Sequence, residues 1–135
     1  MNQIYVDQGL QQLLGRLITP SFKYRLFINN LTPNRGTVLG DMTPATFTGS
    51  DPIIVAAGDF SIGTTVGHVG TRIAPPIAFT NGSGGDTSAY GYYVTDADDT
   101  NLLFAARFDA APVTKADGES FIVIPIIGDF SQLAA

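Results

Sequence analysis

Apolar and polar positions alternate with a period of two through much of this chain, most clearly between residues 89 and 108. In the run after the turn, Leu102, Phe104, Ala106 and Phe108 fall on one side, and Ala105, Arg107 and Asp109 on the other. In the run before it, Tyr90, Tyr92 and Val94 alternate with Gly91, Tyr93 and Thr95. Period two marks a strand with a buried face, and aromatic and β-branched residues favour it. Between the runs lies Asp96-Ala97-Asp98-Asp99-Thr100-Asn101, whose short polar side chains bond nearby backbone and favour a turn. The pattern predicts a β-hairpin supplying the middle of a sheet. A second clear strand spans residues 22–29, with Phe22, Tyr24, Leu26 and Ile28 on one face and Lys23, Arg25, Phe27 and Asn29 on the other, one of the two being core and the other wet or shared. Residues 121–127 are apolar on both sides: Ile122, Ile124 and Ile126 on one, Phe121, Val123 and Pro125 on the other. Such a strand sits between two layers or meets another chain.

The period changes at the N-terminus. Over residues 3–18, Val6, Leu10, Leu13, Leu14 and Leu17 form an apolar stripe at helical spacing, which predicts an amphipathic helix ended by Thr19-Pro20. Gly9 and Gly15 weaken it by about 1 kcal/mol each relative to Ala. Residues 31–48, rich in Pro, Gly, Thr and Asn, are a candidate contact arm unless short strands lie within them. A short strand is expected at 53–55. Residues 73–80 read as a strand broken at Pro75-Pro76, because proline cannot donate to a ladder. Asn81-Gly82-Ser83-Gly84-Gly85-Asp86 is a surface loop. Asp117-Gly118 predicts a second hairpin between residues 112–114 and 121–127. No repeat or linker divides the chain. The expected fold is mainly β: one domain over 1–135, with a helical segment at 1–20 and an antiparallel β-sandwich or barrel over 21–135.

Composition narrows the partners. Charged residues make up 14% of the chain, against roughly 25% in a typical soluble domain. The net charge is −5, and no Lys/Arg cluster exists to offset it, so direct nucleic-acid binding is not expected. With no cysteine there is no disulfide framework and no thiol chemistry. No apolar run is long enough for a helical membrane span, and the N-terminus lacks the pattern of a signal peptide.

Candidate chemistry is sparse. The turn at 96–101 begins like a calcium loop, but Asn101 stands where the glycine belongs and Arg107 where a bidentate carboxylate is needed. His68 is the single histidine, and no spacing brings metal ligands to it. Ser61 does not fit a nucleophile elbow, and Glu119, the sole glutamate, lies in a turn. No enzyme activity, metal or cofactor is expected. Asn30-Leu31-Thr32 and Asn81-Gly82-Ser83 match the glycosylation pattern.

Four stretches, LFINNLTP at 26–33, ATFTG at 45–49, YGYYVTD at 90–96 and LLFAARF at 102–108, together with Leu13-Leu14 near the start, resemble a family of small β-rich proteins of tailed bacteriophages, including phages of cyanobacteria. The resemblance covers most of the chain. It implies a virion component: a cement (decoration) protein on the capsid exterior that binds the major capsid protein, ties neighbouring subunits together and forms a homo-oligomer. On that reading the N-terminal helix, the 31–48 arm and the 121–127 strand make the contacts. The interface candidates are Leu10, Leu13, Leu14, Leu17, Phe27, Phe121, Val123 and Ile124. A tail, baseplate or fibre adaptor is the alternative. A carbohydrate-binding sandwich with Tyr90, Tyr92 and Tyr93 as a stacking platform is the second, although at least two of these tyrosines are expected in the core.

Overall fold

The central hairpin forms as the alternation predicts, and the other strands assemble around it in a computed structural model that describes residues 3–6, 21–62 and 71–128. The strands are β1 (Gln3–Tyr5), β2 (Ser21–Phe27), β3 (Ile53–Ala56), β4 (Ser61–Ile62), β5 (Thr71–Ile73), β6 (Ile77–Thr80), β7 (Thr87–Ala89), β8 (Gly91–Asp96), β9 (Leu102–Arg107), β10 (Val113–Lys115), β11 (Ser120–Val123) and β12 (Ile126–Gly128). A five-stranded sheet has the order β1-β9-β8-β2-β3. Smaller sheets pair β10 with β7, β11 with β6, and β12 with β5 and β4. Every pairing is antiparallel. The fold is mainly β, and its sheets do not close into a barrel.

The five-stranded sheet is covered on both faces. On the first, Phe22, Tyr24, Leu26, Tyr92, Val94, Phe104 and Ala106 pack with Phe79, Phe121 and Val123 of the β6/β11 ribbon. On the second, Phe27, Tyr93, Leu102 and Ala105 pack with Val6 and Met42, and Leu31 and Leu39 lean on them. Fully burying side chains of this size stabilises a fold by about 1.5–3 kcal/mol each, so these two clusters dominate the energetics. Tyr24 lies edge-on to Phe104 with centroids 6.1 Å apart, and Phe22 likewise to Phe60 at 5.6 Å.

One parity differs from the sequence pattern. Val94 pairs with Phe104 but Thr95 pairs with Leu102, so Leu103 is an extra residue in β9. This bulge turns Leu102 into the second cluster, while Leu103 and Phe104 both enter the first. Gly91 is needed where β8 begins. A Cβ there would sit 2.1 Å from the Ala106 carbonyl oxygen and 2.6 Å from the Phe27 ring.

Residues 31–48 are not an outlying arm. Ile28 donates to the Thr43 carbonyl and Ala45 to the Leu26 carbonyl, both at 2.9 Å, so the returning chain runs beside the end of β2. Arg107 donates to the Leu31 carbonyl at 3.1 Å and lies 5.1 Å over the Tyr90 ring. Met42 and Leu39 thereby roof the second face, and Phe47 reaches the first core, 5.8 Å from Phe121.

The hairpin expected between residues 112–114 and 121–127 does not form. The Asp117-Gly118 turn is present, with Gly118 at φ 84° and Glu119 donating to the Ala116 carbonyl at 3.0 Å. However, Gly118 donates to the Asn81 carbonyl and Asn81 donates to the Glu119 carbonyl, at 2.7 and 2.8 Å. The Asn81 side chain, fully buried, donates to the Gly85 and Lys115 carbonyls and accepts from the Ser83 backbone and hydroxyl. This knot holds two loops together and sends β10 to β7 and β11 to β6. Residues 71–128 are therefore one long ribbon with its tip at 96–101 and its corner at Asn81. Half of it lies in the main sheet, and half packs across the first face.

The helix expected over residues 3–18 is corrected at its start. Gln3, Ile4 and Tyr5 pair with Ala106, Ala105 and Phe104 as an edge strand, and Val6 is buried in the second cluster. Backbone pairing with β9 outweighs the helical spacing of Val6 with the later leucines. Residues 7–18, including Leu10, Leu13, Leu14 and Leu17, lie outside the described residues, as does His68.

Candidate interaction surface

The alternation of β11 runs unbroken through the bend into β12. Phe121, Val123 and Pro125 point inward; Ile122, Ile124 and Ile126 point outward and are 55%, 48% and 38% exposed. On the paired strand, Pro75, Pro76 and Ala78 are exposed beside them. The register explains this breadth. Ile73 pairs with Ile126 and Ile77 with Val123, so Ala74, Pro75 and Pro76 face only two residues, 124 and 125. The extra residue falls where two consecutive prolines lack N–H donors, and a backbone bond spans it from Ala74 to the Pro125 carbonyl at 3.0 Å. The stripe ends at the corner in a Thr80–Ser120 hydroxyl pair 2.7 Å apart. None of the exposed side chains described along it is charged. A contiguous aliphatic row of this kind marks an interaction surface more often than an isolated exposed leucine does.

The interface candidates read from sequence divide accordingly. Ile124 lies on the stripe. Phe27, Phe121 and Val123 are buried within the chain and are corrected to core residues. The returning 43–45 segment and the second cluster enclose Phe27, while β6/β11 packs Phe121 and Val123 against the sheet. Ile122, Ile126 and the two prolines were not among the candidates. The two-sided apolar pattern at 121–127 was the signal for them, but it does not say which parity faces out.

A recess of about 270 Å³ opens on the second face, lined by Arg25, Leu39, Met42, Pro44, Tyr93, Thr95 and Asp99. Its charges are already engaged. Asp99, at φ 56°, accepts from Lys23 Nζ at 2.8 Å and Arg25 Nη2 at 2.7 Å, and from the Thr95 hydroxyl at 2.8 Å. Desolvation pushes the Asp99 pKa up, but these bonds and the two cations outweigh it and hold it below the ordinary value. Burial raises the Tyr93 phenol, with Arg25 opposing and Asp99 adding to the shift. With the Asp99 side chain 35% exposed, each ion pair contributes only about 0.2–1 kcal/mol. Their effect is to pin the hairpin tip to β2.

The tip itself is bonded internally. Asp96, buried, accepts from the Thr100 backbone and hydroxyl at 2.8 Å each, and from Asn101 Nδ2 at 2.8 Å and backbone at 3.3 Å. Burial opposes its charge, yet the bonds from Asn101 and Thr100 prevail and lower its pKa. Among the described residues, no group of three or more His, Cys, Asp or Glu is placed to hold a metal ion.

The three tyrosines do not share a platform. Tyr92 and Tyr93 are buried on opposite faces of the sheet, and Tyr90 lies under Arg107. Asn81 of the second glycosylation pattern is enclosed with its amide fully bonded, whereas Asn30 of the first is exposed. Searches against protein-family models, curated proteins and solved structures found no match to this chain.

Proposed function

We propose that this chain is a structural component of a tailed-phage virion, a cement protein of sandwich form on the capsid exterior that ties major capsid protein subunits together and acts without catalysis. The observation that carries this reading is the uncharged Ile122–Ile124–Ile126 stripe with Pro75, Pro76 and Ala78, an aliphatic surface that a single copy leaves in water. Cement function asks for such surfaces and no chemistry, because weak contacts repeated over a lattice add up through multivalency. The resemblance of residues 26–33, 45–49, 90–96 and 102–108 to phage β-rich proteins supplies the setting. The acidic balance suits the outer side of a shell better than the side against packaged DNA.

The test is to separate heads from tails of the encoding phage and quantify the chain in each. The cement reading expects on the order of hundreds of copies in heads, as a repeated lattice contact requires. A few copies confined to tails would transfer the protein to the adaptor reading, and absence from both would end the virion proposal. Rebinding of purified chain to stripped heads, lost in Ile122→Asp/Ile124→Asp, assigns the stripe as the assembly face.

A further inference from the structure

We infer that the recess on the second face is a binding site for a small carboxylate, its head held by Arg25 and the Tyr93 hydroxyl and its apolar body laid against Leu39, Met42 and Pro44. The assignment does not depend on the virion proposal. The sheet builds the polar end. Arg25 of β2 stands opposite Tyr93 of β8, and alternation puts both side chains on the second face. Tyr93 lines the recess and is 3% exposed, yet none of the described residues bonds its hydroxyl. A polar group this enclosed normally has a partner, so the hydroxyl is a donor in wait of an acceptor. Burial raises the pKa of the phenol, which therefore keeps its proton at neutral pH. Arg25 is held without being exhausted: Asp99 takes Nη2 at 2.7 Å, and a guanidinium presents five N–H donors in a fixed fork.

Charge and shape name the ligand class. Asp99 is the one carboxylate lining the recess, and both its oxygens are occupied, Oδ2 by Lys23 and Arg25 and Oδ1 by the Thr95 hydroxyl. Two cations against one carboxylate leave a single positive charge here, in a chain whose net charge is −5. Such an end repels an ammonium group and takes an anionic acceptor, and a carboxylate matches the guanidinium fork. Leu39, Met42 and Pro44, from the segment returning beside β2, add only apolar side chains to the lining. At about 30 Å³ per water, 270 Å³ accommodates on the order of nine non-hydrogen atoms. Hexanoate has this size. The glutamate side chain of a protein partner is shorter and leaves part of the apolar wall in water.

Isothermal titration of the full chain with hexanoate tests the site. A Kd of about 1 mM or tighter is expected for a fitting ligand of this size. Acetate, which has the head without the body, and hexanamide, which has the body without the charge, should each bind at least about 10-fold more weakly. Tyr93→Phe should weaken hexanoate binding about 10-fold and leave the urea midpoint unchanged, because no described residue bonds the hydroxyl it removes. Arg25→Lys keeps a cation for Asp99 but loses the fork, and should cost about 10-fold as well. Amide chemical shifts should move at Arg25, Leu39, Met42 and Tyr93 and stay fixed at Ile124, on the ribbon that covers the other face. Absence of binding at about 10 mM hexanoate, equal affinity for hexanamide, or binding untouched by Tyr93→Phe would overturn the assignment. So would a lowered midpoint in Tyr93→Phe, since the hydroxyl would then serve the fold. N-acetylglutamate α-amide, which mimics a partner's glutamate, should bind at least about 10-fold more weakly than hexanoate; equal binding would overturn the free-acid assignment in favour of an acidic side chain.

Discussion

Replacing Asp96 by Asn tests whether the hairpin tip is held by a charged acceptor. Among the described residues the carboxylate accepts from four donors, two on each oxygen: Thr100 N and Asn101 N on Oδ1, Thr100 Oγ1 and Asn101 Nδ2 on Oδ2. Asn keeps one oxygen for the backbone donors. Its new NH2 faces the Thr100 hydroxyl, which can rotate to accept, and the Asn101 amide nitrogen, which cannot. One charge-assisted bond is lost and the other three fall to neutral strength. Bonds to charged groups contribute about 1.5–3 kcal/mol and neutral ones about 0.5–1.5 kcal/mol. Thr100 is exposed and Asn101 half-buried, so water recovers part of the loss. The expected cost is about 2 kcal/mol at pH 7, or a Tm lower by roughly 5–10 °C for a chain of this size. The pH dependence is the sharper readout. The folded-state pKa of Asp96 lies below the ordinary 3.8, so its stabilisation is fully present above that value and disappears as pH falls through the folded-state pKa. Asn does not titrate. Urea unfolding from pH 7 to pH 2 should therefore show a gap between wild type and variant that is widest at neutral pH and closes in acid. A gap under about 0.5 kcal/mol at pH 7, the range of ordinary surface substitutions, or one of constant size down to pH 2, would refute the reasoning.

Two further outcomes are expected from urea midpoints and glycan mass analysis. Gly91→Ala places a methyl 2.1 Å from the Ala106 carbonyl oxygen and against the Phe27 ring, so β8 and β9 must separate there; a loss of about 3 kcal/mol or more is expected, and a neutral result would mean the strands part without cost. Asn81→Ala leaves the Gly85 and Lys115 carbonyls without their donor and frees Ser83 from its acceptor, for a loss of about 2–4 kcal/mol, while expression in a glycosylating host should leave Asn81 of the folded wild-type chain unmodified.

Much of the fold is legible in the residues because local chemistry decides it. The Asp96–Asn101 cluster makes a turn wherever it stands, since its side chains bond their own backbone. Ile53–Ala56 and Ile77–Thr80 are strands as read, and the break at Pro75-Pro76 follows from missing N–H donors. The misreadings share one cause: a longer-range partner outweighed the local signal. Val6 has helical spacing toward the later leucines, yet β9 offers the adjoining Gln3–Tyr5 an open edge. The Asp117-Gly118 turn is real, but Asn81 enters beside it and diverts both strands. Leu102 changes face because a single bulged residue reverses parity, which no alternation upstream or downstream reveals.

The interaction surface shows the division most plainly. From residues 121–127 alone it follows that both sides of the strand are apolar and uncharged, hence that both call for cover. Which side receives it inside the chain depends on how the long ribbon bends. The Asn81 corner swings β6 and β11 over the sheet, so Phe121 and Val123 meet Phe79 and the first core while Ile122, Ile124 and Ile126 turn outward. Periodicity determines that two faces exist, because alternation is a property of the backbone. Only the tertiary fold decides which of them is core, because burial depends on the far strand that arrives to cover it.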